Sequence, residues 1–78
     1  MTTNHETFMN ELARQYTELF KTPDYAFVAG KTTAEELAMT MTDGLTRGTA
    51  DKGGLGIKLT CKALKLPYTY SAIEGYLK

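Results

Sequence analysis

Apolar residues recur along this chain with the period of an α-helix. Phe8, Met9, Leu12, Ala13, Tyr16, Leu19 and Phe20 fall in one arc when placed about 100° apart, and polar residues from Glu6 to Lys21 fill the rest. That pattern predicts an amphipathic helix whose broad apolar face must be covered by other elements. Asn4 stands where an N-cap is needed, and Glu6 falls in the first turn, where the helix dipole favours an acid. Thr22-Pro23-Asp24 ends this helix. Tyr25, Ala26, Phe27 and Val28 follow, too short a run for periodicity to separate helix from strand. A short helix over 23–29 is preferred, because a lone strand would have no partner.

Thr32 or Thr33, with Glu35 or Glu36 three residues on, fits a capping box. Behind it Ala34, Leu37, Ala38, Met41, Gly44 and Leu45 share a face, while Met39 falls on the polar side. Gly48 is a natural helix stop, and Asp51-Lys52-Gly53-Gly54 reads as a turn with Asp51 as a cap. The next helix is expected from about Leu55 to Leu66, with Gly56, Ile57, Leu59, Thr60, Ala63 and Leu64 inward and Lys58, Lys62 and Lys65 in a stripe outside. Pro67 ends it. Thr69 caps a last helix carrying Tyr70, Ala72, Ile73, Tyr76 and Leu77 on its apolar side. The expected fold is all-α: one domain, residues 1–78, built as a small bundle of four to five short helices, the last two helix-turn-helix-like.

Composition narrows the function. No run approaches the ~18 apolar residues of a membrane span, and MTTNHETF lacks the basic and apolar regions of a secretory signal. Cys61 is the single cysteine, so no intrachain disulfide or multi-cysteine zinc site can form, and a reducing, cytoplasmic setting is expected. His5 and Cys61 are too far apart in sequence to form a recognisable metal pattern. Formal net charge is zero, yet residues 1–43 carry a balance of −4 and residues 44–78 a balance of +4. Such polarisation marks faces suited to different partners, or two halves that attract each other.

Three features invite a chemical reading. Gly53-Gly54-Leu55-Gly56 resembles a phosphate-holding turn, but the P-loop needs Gly-Lys-Ser/Thr and a preceding strand, and neither is present. The plainer reading is a turn plus one glycine that lets two helices approach closely. Cys61 lies on or beside the apolar face and reads as a small buried hydrophobe rather than a nucleophile. The stripe of Lys58, Lys62 and Lys65 is suited to phosphates, and Tyr68 and Tyr70 lead a segment placed like a recognition helix. That segment lacks arginine and carries Glu74, and Lys65 stands where the DNA-reading motif usually has glycine. A solvated lysine face is the plainer alternative.

Residues 48–77, through the Gly-Thr-Ala turn, Ile57, Cys61-Lys62-Ala63-Leu64, Thr69-Tyr70 and Ala72-Ile73, resemble the C-terminal part of small phage and prophage accessory proteins. The resemblance implies a context of binding a host protein or DNA, and it assigns no functional residue. The chain is therefore expected to be a non-enzymatic macromolecule-binding module without catalytic, cofactor or metal residues. A host protein complex is the favoured partner. DNA, through the basic helix 55–66 and the helix after it, is the alternative. The expected contact residues are Lys58, Lys62, Lys65, Tyr68, Tyr70 and Met39.

Overall fold

A computed structural model describes residues 3–47 and 54–77. Five α-helices are present among them: α1 (Asn4–Leu19), α2 (Ala26–Ala29), α3 (Ala34–Arg47), α4 (Leu55–Ala63) and α5 (Tyr70–Ile73). Single 3-10 turns, Pro23–Tyr25 and Glu74–Tyr76, precede α2 and follow α5. No strand occurs among the described residues. The expected all-α bundle is the observed one, and 23–29 is helical. Gly48 and the turn at Asp51–Gly53 lie outside the described residues.

α1 is the hub. It packs along α3, along α4 and against the last 3-10 turn. The molecule measures 31 × 28 × 18 Å, and that depth admits two layers of helices. Phe8, Leu12, Tyr16 and Leu19, at the predicted spacing, supply the buried face of α1. Ala34, Ala38 and Leu45 meet it from α3, Ile57 and Cys61 from α4, and Ile73 and Leu77 from the C-terminal segment. Thr42 and Thr60 are the buried polar residues among those described, and each hydroxyl donates to the carbonyl four residues back, at 3.0 and 2.7 Å. The hydroxyls are thereby satisfied within their own helices.

The helix ends follow local chemistry, with some corrections. Thr3, not Asn4, caps α1: its side chain accepts from the Glu6 amide at 3.0 Å, and its hydroxyl lies 3.3 Å from the Glu6 carboxylate. Thr33 takes the same role for α3, accepting from the Glu36 amide at 3.1 Å, and Thr69 caps α5 as expected. α4 stops at Ala63, three residues before the expected end. There the Leu66 amide reaches back to the Cys61 carbonyl (2.8 Å) and the Lys65 amide to that of Lys62 (3.2 Å). These two bonds form a Schellman closure with Lys65 in the left-handed conformation at φ 60°. The helix therefore ends on backbone geometry before Pro67 is reached.

The buried arc of α4 is also rotated from the expected one. Gly56, Ile57, Thr60 and Cys61 are buried, Leu59 and Leu64 are half-buried, and Ala63 is exposed. The cause is Gly56. A Cβ there would overlap the Tyr16 ring of α1, so only glycine lets α4 lie this close. α4 turns its small residues to α1 and leaves Leu59 and Ala63 at the rim.

Candidate binding surfaces

The expected contact residues occupy three separate places. Lys58 and Lys62 are exposed on α4, one turn apart. Lys65 is exposed but belongs to the closing turn, so the helical lysine stripe is shorter than expected. Tyr68 and Tyr70, 40% and 45% exposed, wall a groove of about 260 Å³ that reaches buried Leu45 and Ile73. Tyr70 was expected on the inward side of its helix; it faces out because buried Ile73 and Leu77 anchor that segment. Met39, 63% exposed on α3, lines a different cleft of about 520 Å³ beside His5, Met9, Asp43 and Leu77. No described residue lines both.

The helix-turn-helix region is looser than the DNA-reading unit. Residues 64–69 separate α4 from α5, whereas that unit uses a turn of about three to four residues. α5 is a single turn extended by Glu74–Tyr76, and the stretch Tyr70–Tyr76 holds exposed Glu74 and no basic residue. Such a segment brings little to a phosphate backbone.

Tyr16 ties the groove to the core. Its ring lies on Gly56, and its phenol is pushed up to about 12, mainly by burial and further by nearby Tyr25 and Tyr68. It stays a neutral wall of the interior. Burial also raises the Cys61 thiol, which disfavours the nucleophilic thiolate. On the outer side of α1, Arg14 and Gln15 both donate to the Glu11 carboxylate, each at 2.6 Å, and the Arg14 bond holds Glu11 below its usual range. Among the described residues no group of His, Cys, Asp and Glu is arranged to hold a metal, and no helix is long and apolar enough to cross a membrane.

No protein-family model, curated protein or solved structure matches the chain. The surfaces themselves therefore carry the functional reading.

Two features escaped the sequence pattern. Phe27, 73% exposed, sits under the Lys31 ammonium at 4.4 Å from the ring centroid. The four-residue Phe-to-Lys spacing on a helical segment was the available signal. His5 lies 3.2 Å from the Tyr76 carbonyl oxygen and joins the start of α1 to the far end of the described chain. A contact across 71 positions has no local signature.

Proposed function

We propose that this chain is a small non-enzymatic binding module, of the phage accessory type, that works in a cytoplasmic setting and grips a host protein through the Tyr68–Tyr70 groove. One observation carries the reading: two exposed tyrosines flank an apolar groove with buried Leu45 and Ile73 behind them. Tyrosine offers large contact area, few rotors to freeze and a hydroxyl that keeps a hydrogen bond, so it is enriched at interface anchors. Net charge of zero removes the long-range attraction to polyanions that most nucleic-acid binders exploit.

A DNA-binding reading draws on Lys58 and Lys62, both exposed on α4. The short α5, the long turn and Glu74 argue against it. The test places a photo-crosslinking residue at position 70 and exposes the protein to a bacterial lysate. A discrete adduct should form. Excess unlabelled protein should suppress it, while a Tyr68→Ser/Tyr70→Ser variant should compete at least ~10-fold less well, as loss of a hot spot implies. Equal capture from a crosslinker at exposed Glu18 would defeat the groove assignment. Steeply salt-dependent binding to random duplex DNA that flattens in Lys58→Gln/Lys62→Gln would favour DNA instead.

A further inference from the structure

The Tyr68–Tyr70 groove has a basic shoulder. Lys62 and Lys65 are exposed, and the Lys65 amide donates to the Lys62 carbonyl at 3.2 Å, so the two share the closing turn of α4. Lys58 is exposed one helical turn earlier. Lys65 stands three residues before Tyr68, and three residues span at most about 11 Å of chain. The flexible four-carbon stem of a lysine covers much of that distance. The ion pairs Glu11–Arg14 and Glu18–Lys21 use none of these lysines. Exposed Glu74, next to Ile73, offsets part of the charge, and residues 54–77 keep an excess of two positive charges. Lys65 carries a second sign. It holds the left-handed conformation at φ 60°, where glycine is free of strain and lysine is not. Its side chain is exposed, so the core draws nothing from it. What lysine adds at this corner, against a conformational cost, is a positive charge beside the groove.

An apolar groove with a basic shoulder is complementary to an apolar side chain that has carboxylates beside it. Leu45 and Ile73 behind the tyrosines suit a branched aliphatic anchor, and the lysines suit the acids. We propose that the groove receives an acidic segment of the partner protein. A leucine-like anchor enters between Tyr68 and Tyr70, and carboxylates one or two residues away face Lys65 and Lys62. The inference rests on the groove reading above and names the chemistry of its partner. Charges at an exposed rim select a partner more than they hold it, so their effect on affinity is modest.

Isoleucine methyl NMR reads the site directly, because Ile73 lines the groove and Ile57, buried in α4, does not. Acetyl-Glu-Glu-Leu-Leu-Gly-amide should shift the Ile73 methyls saturably, with a dissociation constant on the order of 1 mM, and leave Ile57 in place. The Gln-Gln peptide, of the same shape but uncharged, should bind ~3–10-fold more weakly, the range of two exposed ion pairs. With Lys62→Gln/Lys65→Gln the two peptides should bind alike. Lys65→Gly should lose part of the preference although it relaxes the turn, which separates the charge from the fold. Equal binding of both peptides to the unaltered protein overturns the acidic assignment and leaves the groove standing. An absence of Ile73 shifts with either peptide at ~10 mM overturns both. A matching shift at Ile57 also overturns the proposal, because it reports a change spread through the core. Random duplex DNA that shifts Ile73 at lower concentration than the Glu-Glu peptide would assign the lysines to nucleic acid and overturn the protein assignment. The peptide arms use the unaltered protein, so the outcome stands even if a lysine variant perturbs the turn.

Discussion

α1 meets the rest of the molecule in two very different ways. Along α4 it relies on exclusion: the Tyr16 ring occupies the space that a Cβ on Gly56 would need. At the C-terminal end it relies on contacts with slack. Phe8 and Tyr76 lie tilted at 6.2 Å between centroids, Tyr76 is half-buried, and His5 bonds a carbonyl at the rim. The first junction specifies one residue at one position. The second tolerates exchange, because a side chain at a half-exposed edge can relax into solvent when its partner changes.

Substitution at the seam should therefore cost most. Gly56→Ala is expected to destabilise by about 2–3 kcal/mol in urea unfolding, although alanine is the better helix former by ~1 kcal/mol, because overpacking a buried seam exceeds that gain. Tyr16→Leu should recover part of the loss in the double variant. A strictly additive cycle would show that the ring does not clash there.

The same seam should respond to alkali. Burial pushes the Tyr16 phenol from its ordinary value of 10 up to about 12, so the folded state resists its ionisation. A raised value means the contribution is fully present below pH 10 and is lost as pH climbs to about 12. The loss amounts to about 2–3 kcal/mol across that window. Tyr16→Phe should flatten the fall in stability, and an unchanged slope would remove Tyr16 as its source.

The C-terminal junction predicts smaller numbers. His5→Ala gives up one part-buried hydrogen bond and should cost about 1 kcal/mol by thermal unfolding. A cost near that of Gly56→Ala would erase the contrast between the junctions. Lys65→Gly should stabilise by about 0.5–1 kcal/mol, since a left-handed residue without Cβ removes strain at the end of α4. If Lys65→Gly destabilises, its side chain contributes more than its backbone position costs.

Much of the architecture was legible in the sequence because it is local. The arc Phe8–Leu12–Tyr16–Leu19, the caps at Thr33 and Thr69, and the outward Met39 depend on neighbours within a turn or two. The end of α4 was misplaced because Pro67 is a visible stop, whereas a lysine adopting φ 60° carries no flag in the sequence. Leu59 matches the helical period of the inward face, yet it sits at the rim because α4 rolls its glycine toward Tyr16. Gly56 was readable as a site of close approach, but the ring that requires it lies forty positions away. The surfaces were least legible. The helical period places residues in or out, but it does not reveal that Tyr68 and Tyr70 frame Leu45 or that Met39 shares a cleft with His5.

The bond between His5 and Tyr76 has a practical side. It brings residues 71 positions apart to within 3.2 Å at one corner of the molecule. The first turn of α1 and the closing 3-10 turn are therefore neighbours, although nearly the whole chain runs between them. His5 and Leu77 also line the Met39 cleft, so a bulky group attached at either residue would intrude on it. An affinity handle placed there is a steric variable, to be moved before an absent interaction is believed.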